Sequence, residues 1–409
     1  MSRDNDLAIL RDLAEQYMEM TADPRQDELR QLWRDHNALK PTRPLFWVRS
    51  GGFENEVPEI THRECEDSFY ASYERFLRDQ LWRSRLGDDT VFEPWLTVSA
   101  SFKCSGWGLD GTTEMEHDGL SFKTTHYAME SLDDVETMRV PWHEIDEAAT
   151  VENYEKLHDA VGAILPVDLD RTTCYRNWMA DISSDLGAMR GIENFMLDMM
   201  DEPEKLHRVL AFMRDGIMKV QQEAEDAGDY GLSSHFNLSM PYSGDLPDPA
   251  PNARGRKRSE LWNFTAAQEY TLVSPAMHDE FLLQYQLPIM APFGHVCYGC
   301  CEDLTNKIDM LRQIPNLRRI GVTPTADLAK CVDQIGTDYA ISYRPNPAQM
   351  VCVGFDEDFV RRELAAAMET ARGTYMAISL KDISTIQSDP TRISRWAAIA
   401  RELSEQFAP

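Results

Sequence analysis

The chain has 409 residues, 43% of them hydrophobic, which is enough for one large α/β domain with a full apolar core. Asp and Glu outnumber Lys and Arg by 69 to 41, and the formal net charge is −28. That charge excludes a nucleic-acid partner, because few cations are left to neutralise phosphates. It is typical of a well-solvated acidic surface, and a positively charged partner or substrate is the alternative.

The sequence also bears on location. No apolar run approaches the roughly 20 residues that a membrane-spanning helix needs, so we expect no membrane partner. Residues 1–6 lack the basic start and apolar stretch of a secretory signal. Eight cysteines in so long a chain, two of them adjacent, do not form a disulfide framework. We therefore expect a reducing, cytoplasmic environment.

The first part of the chain mixes helices with short strands. Helical spacing predicts two helices within 6–37, in an N-terminal extension over 1–40. Further helices are predicted at about 63–86, at 150–162 and, as a pair, within 176–227. Strands are predicted at 45–48, 90–98, 163–167 and about 232–240. Short alternating pieces with several glycines predict a β-rich insertion at about 99–143.

The last part of the chain alternates regularly between strands and helices. Strands are predicted at 293–298, 318–322, 339–343 and 375–380. Helices are predicted at 265–285, 303–311, 326–335, 357–371 and 390–406. Such units pair in parallel through right-handed crossovers. Because no glycine-rich phosphate turn follows a strand, we predict a (β/α)8 TIM barrel over 41–409 rather than an open nucleotide-binding sheet.

In such a barrel the site lies where the strands end. Four polar residues near predicted strand ends are candidate catalytic groups: Glu93, His235, Glu302 and Asp382. Three others are candidate substrate-binding groups: Asn237, Arg344 and Lys381. The two cations suit an anionic substrate, since Arg forks onto carboxylates. For any single residue, a cap, a loop hydrogen bond or an ion pair is the alternative.

The densest polar cluster runs from His295 to Glu302. Side chains alternate along a strand, so His295 and Cys297 share a face, and imidazole and thiolate are zinc ligands. Cys300 and Cys301 follow in the turn, where the next helix's N-terminus lowers a thiol's pKa. These four residues are the candidate metal ligands, and the alternative is that the cysteines are small buried hydrophobes. Three residues are left open as a further ligand: His235, Glu302 and Asp382.

Several segments resemble the uroporphyrinogen-decarboxylase superfamily. Residues 43–52 are similar to the family's opening strand, and 189–206 resemble its helical G-x-E…D-x-P-E stretch. Residues 293–302 resemble the strand that carries an H-x-C zinc motif in the corrinoid methyltransferase branch. The similarity covers most of residues 40–406. It implies a (β/α)8 barrel for this chain.

The chain also departs from the family pattern. Of the arginine stretch that holds substrate carboxylates in true uroporphyrinogen decarboxylases, only Arg49 matches, and it is a further candidate substrate-binding residue. The aspartate expected after the second strand is replaced by Glu93 or lost, so porphyrinogen decarboxylation is not expected. The methyltransferase branch usually completes its zinc site with a Cys near the last strand, where this chain has 379–382 without one. Cys300 or Cys301 would have to substitute for it.

The resemblance implies a methyltransferase of a corrinoid system. It would move a methyl group between a small methylated compound, such as a methoxylated aromatic, and cobalamin on a separate corrinoid protein. Zinc would act as Lewis acid, and Glu302 or Glu93 would handle the proton. The alternative is a cofactor-independent decarboxylase or lyase that holds a carboxylate with Arg49, Arg344 or Lys381. A barrel that binds a tetrapyrrole without turnover is a third hypothesis, and a homodimer is expected only by analogy.

Overall fold

The computed structural model describes residues 2–49, 51–104, 106–109, 111–115, 122–173, 181–233 and 238–409. The strands in this part of the chain are β1 Leu45–Val48, β2 Leu96–Ser99, β3 Thr112–Met115, β4 Phe122–His126, β5 Val167–Asp170, β6 Trp262–Thr265, β7 His295–Tyr298, β8 Leu317–Val322, β9 Ala340–Tyr343 and β10 Tyr375–Leu380. The α-helices are α1 Ser2–Thr21, α2 Arg25–Asn37, α3 Pro58–Thr61, α4 Ser68–Ser84, α5 Glu147–Val161, α6 Ser183–Arg190, α7 Ile192–Asp201, α8 Pro203–Ala227, α9 Pro275–His278, α10 Gln284–Met290, α11 Ile308–Leu311, α12 Leu328–Ile335, α13 Glu357–Thr370 and α14 Thr391–Gln406.

Eight of these strands run parallel in two groups. Six form one sheet in the order β1-β10-β9-β8-β7-β6, and β2 pairs with β5. Helices connect successive strands of the large sheet, as parallel pairing requires. Within the described ranges no strand pairing joins the two groups. The architecture is thus a mixed α/β, TIM-barrel-like fold with a six-stranded parallel arc and a two-stranded one.

The C-terminal helices show why this part of the sequence folds as it does. Asp356 begins α13 by accepting a hydrogen bond from the backbone N–H of Phe359. Its buried face, Val360, Leu364 and Met368, packs in one core cluster with the apolar face of α14 and the buried side chains of β10. Each such side chain contributes about 1.5–3 kcal/mol of burial free energy. This packing fixes the carboxyl end of β10, where candidate site residues follow.

The element predictions hold best at strands with long apolar runs. The strands at 45–48 and 375–380 are confirmed at those bounds. The second strand is shorter than predicted, because Pro94 cannot donate to a ladder and β2 begins only at Leu96. β6 was missed, since its four residues follow a long loop. The strand predicted at about 232–240 falls partly on 234–237, outside the described residues, and the described residues on either side are not strand.

The N-terminal helices pack closely against the rest of the fold. Trp33 of α2 is buried and donates its indole N–H to the carbonyl of Asp89 over 2.7 Å. Asn37 accepts from the fully buried Arg319 of β8 over 2.6 Å. In the predicted β-rich insertion, β3 and β4 form an antiparallel hairpin. None of the helices in the described ranges combines the length and apolarity needed to cross a membrane.

Candidate functional site

The turn after β7 presents two thiols at the carboxyl end of the large sheet. Gly299 begins the turn with φ +107°, a conformation that side chains rarely adopt. A Cβ there would lie 2.8 Å from Leu304 and 3.3 Å from the backbone of Gly321. The glycine therefore lets the chain turn sharply against β8, so that Cys300 and Cys301 come directly after the strand.

Glu302 fixes the backbone of this turn from the protein interior. Its side chain is fully buried and accepts hydrogen bonds from the backbone N–H groups of Ala267 and Cys300, each over 2.8 Å. Burial raises the pKa of the Glu302 carboxyl, and the backbone donors oppose the rise. Because both oxygens are engaged by the backbone, the geometry assigns Glu302 a positioning role.

Lys381 brings a positive charge to the two thiols. The Sγ atoms of Cys300 and Cys301 lie 3.6 Å apart. The buried Nζ of Lys381, the residue after β10, lies 3.8 Å from the first and 3.9 Å from the second, and 2.7 Å from a carboxylate oxygen of the exposed Asp382. The structure therefore brings four predicted site residues together at the carboxyl end of one parallel sheet.

The surroundings shift the pKa values of the two thiols in opposite directions. The hydrogen bond from Cys300, followed by the charge of Lys381, lowers the pKa of the Cys301 thiol, although burial opposes this. The same hydrogen bond and burial raise the pKa of Cys300. Cys301 is exposed, whereas Cys300 is half-buried. Cys301 is thus the thiolate of the pair and the one open to a reactant.

Two arginines extend the positive field. Arg344, buried to 2% exposure, donates from Nη2 to the carbonyl of Gly299 over 3.1 Å. Its Nε and Nη1 have no hydrogen-bond partner among the described residues. Arg49 is half-buried and electrostatically coupled to Cys300, Asp382 and Arg344. A buried guanidinium with unused donors is costly unless a partner satisfies it, so this end of the sheet suits an anionic ligand.

Two predicted site residues lie at the opposite, amino end of the strands. His295 is the first residue of β7, and its Nε2 lies 2.7 Å from a carboxylate oxygen of Asp245. At about 3.3 Å per residue, it lies on the order of 16 Å along the chain from Cys300. Glu93 precedes β2 and pairs with Arg30 at 3.1 Å and with the hydroxyl of Tyr242. The prediction that Glu93 lies at the carboxyl end of a strand is wrong, because Pro94 delays the strand.

Cys297 lies between the two ends. It is fully buried in a small apolar cluster with Leu238, Phe264 and Ala266, against which Cys300 packs. Burial raises the pKa of its thiol to about 12, so it is neutral at physiological pH. The predicted residues His235 and Asn237 lie outside the described residues.

The described residues do not assemble a zinc site. Zinc in proteins takes three or four N, S or O ligands. No three His, Cys, Asp or Glu side chains in the described ranges lie close enough to hold a metal ion. Next to the two sulfurs stands the ammonium of Lys381, and His295 is engaged elsewhere. Zinc, which would need a further ligand such as His235 outside the described residues, stays a prediction.

Sequence reasoning missed Arg319, a fully buried cation in β8. Its guanidinium and that of Arg344 both act on the thiol of Cys297. Its Nε has no partner among the described residues. The available signal was a charged residue in the middle of a strand whose other residues, apart from the adjacent Arg318, are apolar or glycine.

A cavity of about 850 Å³ opens beside α6 and α7. Its lining includes Ser184, Met189 and Glu269. Glu269 belongs to the loop after β6, the same loop whose Ala267 N–H is bound by Glu302. The cavity is therefore linked to the thiol turn through this loop, while its lining residues come from other segments.

Comparison with known proteins gives one informative likeness. No protein-family model matches the sequence, and no curated protein matches it. Among solved structures, a methyltransferase from Methanosarcina mazei matches with a TM-score of 0.55 and 12% sequence identity. The match covers 93% of this chain and 99% of that chain. At this identity the likeness concerns the fold alone, so the chain shares the fold of that methyltransferase over nearly its whole length.

Proposed function

We propose that the chain is a methyltransferase that takes a methyl group from a small methylated compound with an anionic group. The observation that carries the proposal is the exposed thiol of Cys301, 3.9 Å from the ammonium of Lys381 at the carboxyl end of the strands. The fold shared with a methyltransferase supports the choice of reaction. Methyl transfer requires a nucleophile and a group that stabilises the leaving atom, and this pair supplies both.

The arginines would bind the substrate's anionic group. Arg344 offers Nε and Nη1, which lack partners among the described residues, and Arg49 interacts electrostatically with Cys300. A carboxylate on these donors would hold the methyl group over the thiol turn. Charge-assisted hydrogen bonds of this kind contribute about 1.5–3 kcal/mol each. The binding energy therefore orients the substrate as well as retaining it.

The thiolate of Cys301 would act as nucleophile. Its sulfur attacks the methyl carbon, a sulfur–carbon bond forms, and the bond from that carbon to its heteroatom breaks. Both electrons of the broken bond go to the heteroatom, which takes a proton from Lys381. The S-methyl group then passes to a second acceptor, the thiolate is regenerated, and Lys381 regains a proton from solvent.

We propose cobalamin on a separate corrinoid protein as the acceptor, following the resemblance of residues 293–302 to the corrinoid methyltransferase branch. A reduced corrinoid is a nucleophile strong enough to remove a methyl group from a thioether. The cavity of about 850 Å³ that shares the loop after β6 with the thiol turn is a candidate place for part of the acceptor. The homodimer stays a prediction.

One observation favours a second candidate, a decarboxylase or lyase on a small carboxylated substrate. Three cations, Arg49, Arg344 and Lys381, all interact electrostatically with Cys300, and Asp382 is the carboxylate in contact with Lys381. A site rich in cations stabilises a carboxylate and the charge that develops as it leaves. In this reading the thiols are dispensable.

The two candidates are separated by one experiment. The purified protein is incubated with methoxybenzoates, methylated amines and methyl thioethers, with chemically reduced cobalamin as acceptor, while absorbance reports methylcobalamin. We expect methylcobalamin with an anionic donor, activity lost in Cys301→Ser, and activity retained in Cys104→Ser, a half-buried cysteine far along the chain. Carbon dioxide release from carboxylates, insensitive to Cys301→Ser and lost in Arg344→Gln, would replace the proposal with the lyase.

A further inference from the structure

The paired thiols at the site are arranged differently from the other described cysteines. Cys300 and Cys301 are neighbours in sequence, and their sulfurs lie 3.6 Å apart at the exposed end of the turn. Cys65, Cys297, Cys331 and Cys352 are buried. Cys104 is half-buried, and within the described ranges it has no thiol beside it. Only a small movement of the two paired sulfurs separates them from the bonding distance of about 2.05 Å.

We propose that Cys300 and Cys301 form a disulfide with each other when the protein meets hydrogen peroxide, and that this reversible oxidation switches off the site. The exposed sulfur of Cys301 attacks one peroxide oxygen, and the O–O bond breaks to give a sulfenic acid and water. The sulfur of Cys300 then attacks that of Cys301, the S–O bond breaks, and a second water leaves. Two thiols and one peroxide thus give one disulfide and two waters.

The contacts around Cys300 and Cys301 favour formation of a disulfide between these two residues. Cys300 is packed against the apolar cluster around Cys297, which limits its reorientation and keeps its sulfur next to its neighbour's. The ammonium of Lys381 contacts both sulfurs and is placed to stabilise the sulfur that leaves when the bond is reduced. Glu302 holds the backbone of Cys300 from the buried side.

Such a disulfide would be regulatory rather than structural. Adjacent residues have Cα atoms about 3.8 Å apart, shorter than the roughly 4.4–6.8 Å of ordinary disulfides. The bond would therefore be strained, and strained, exposed disulfides are reduced readily. A thiol reductant would restore both thiols, so the modification can be turned over in a reducing environment.

The switching half of this inference rests on the proposed function, because it takes Cys301 as the nucleophile. The formation of the disulfide does not, since it depends only on the two sulfurs. The experiment therefore reads the chemistry and the activity separately, and failure of one does not obscure the other.

The full-length protein is treated with hydrogen peroxide, its remaining thiols are alkylated, and it is digested with chymotrypsin without reductant. Cleavage after Tyr298 and Leu304 separates residues 299–304, which contain both thiols, from the peptide that ends with Cys297 and Tyr298. We expect residues 299–304 as one unalkylated peptide lacking two hydrogen atoms, and both cysteines alkylated after prior reduction. Cys104 is expected to be alkylated throughout.

Two variants complete the test. In Cys300→Ser the resolving thiol is gone, so Cys301 is expected to accumulate as a sulfenic acid that dimedone traps, and Cys104→Ser is expected to behave as wild type. Peptide 299–304 linked to the peptide ending at Tyr298, or alkylated fully after peroxide, would overturn the disulfide. A fully formed disulfide in protein that keeps its methyl-transfer activity would overturn the switch, whereas absence of any activity before oxidation would count against the proposed function alone.

Discussion

The ammonium nitrogen of Lys381 lies 3.9 Å from the sulfur of Cys301. Lys381 directly follows β10, and Cys301 lies in the turn after β7. The hydrogen bond from Cys300, then the charge of Lys381, lower the pKa of Cys301 to about 6, against 9.0 for an unperturbed thiol. Since the thiolate is the reactive form, Cys301 should react at a pH where ordinary cysteines are inert. This contact brings residues from the carboxyl ends of two parallel strands, β7 and β10, into one site.

The first prediction is that both neighbours of Cys301 control its reactivity. Cys300→Ala removes the hydrogen-bond donor, and Lys381→Met removes the charge, so each should move the pKa of Cys301 from about 6 towards 9.0, the first by more. The measurement is the rate of iodoacetamide alkylation of Cys301 against pH, followed by peptide mass spectrometry. Cys301→Ser identifies the signal, and an unchanged midpoint in both variants would contradict the geometry.

The second prediction concerns the unused donors of Arg344. Arg344→Gln should weaken binding of a carboxylate such as methoxybenzoate by roughly 10- to 100-fold, because one or two charge-assisted hydrogen bonds of about 1.5–3 kcal/mol are lost. Calorimetric titration measures the affinity. Arg362→Gln, at an exposed position, is the matched control and should bind as wild type.

Arg344 also donates to the carbonyl of Gly299, so its removal could move the thiol turn. The alkylation rate of Cys301 in Arg344→Gln separates these effects, because a displaced turn would change that rate. An unchanged affinity together with an unchanged alkylation rate would show that the anion does not use this arginine.

The sequence predicts the existence of a strand more reliably than it predicts the end of the strand at which a given residue lies. The sequence puts Lys381 at the end of β10 because that strand is apolar apart from Ser379, so its end is plain. His295 and Cys297 do alternate onto one face, but alternation does not say where a strand begins, and β7 begins at His295 itself. The partner of that imidazole, Asp245, is 50 residues earlier, and no local pattern joins the two. The contact of His295 with Asp245, which is distant in sequence, therefore determines the role of this imidazole, and the local H-x-C pattern does not.

The third prediction tests the zinc hypothesis against this placement. Because His295 contacts Asp245 at the amino end of β7, His295→Asn should leave the zinc content of the purified protein unchanged. Any zinc held at the thiol turn should instead be lost in the double variant Cys300→Ser, Cys301→Ser. Metal content by mass spectrometry gives the answer. Loss of stoichiometric zinc in His295→Asn alone would show that the H-x-C pattern binds metal after all.

The fourth prediction is a loss of stability on acidification. Burial lowers the pKa of His278 to about 3, and burial lowers that of the fully buried His36 well below 6.5. Between these values and 6.5 the unfolded chain binds protons that the folded chain does not, so stability present above pH 6.5 is lost as the pH falls. Each histidine should cost about 1.4 kcal/mol of unfolding free energy per pH unit.

Urea unfolding at pH 7.5 and at pH 5.5 measures this loss. His278→Gln should show a smaller difference between the two conditions than wild type, by about 1.4 kcal/mol. His62→Gln, at an exposed position, should show the same difference as wild type. Equal losses in wild type and His278→Gln would mean that this imidazole is protonated in the folded protein.

The last prediction concerns whether the N-terminal helices are separable from the rest of the fold. Asn37, at the end of α2, accepts from the buried guanidinium of Arg319 over 2.6 Å and donates to the carbonyls of Met240 and Tyr242 over 3.0 and 2.7 Å. Burial already lowers the pKa of Arg319 to about 10, which shows how poorly its charge is solvated. Asn37→Ala would remove the one side-chain acceptor that Arg319 has among the described residues, and it should cost about 3 kcal/mol of unfolding free energy.

The matched control is Gln31→Ala on the exposed face of the same helix, which should change stability by no more than about 0.5 kcal/mol. If Asn37→Ala proves equally mild, α2 can separate from the large sheet without exposing Arg319, and residues 1–40 behave as a detachable extension. If it unfolds the protein cooperatively at lower urea, the same amide couples the N-terminal helix to a buried cation of the large sheet. The boundary at residue 40 would then mark a change of secondary structure within one folding unit rather than a domain border.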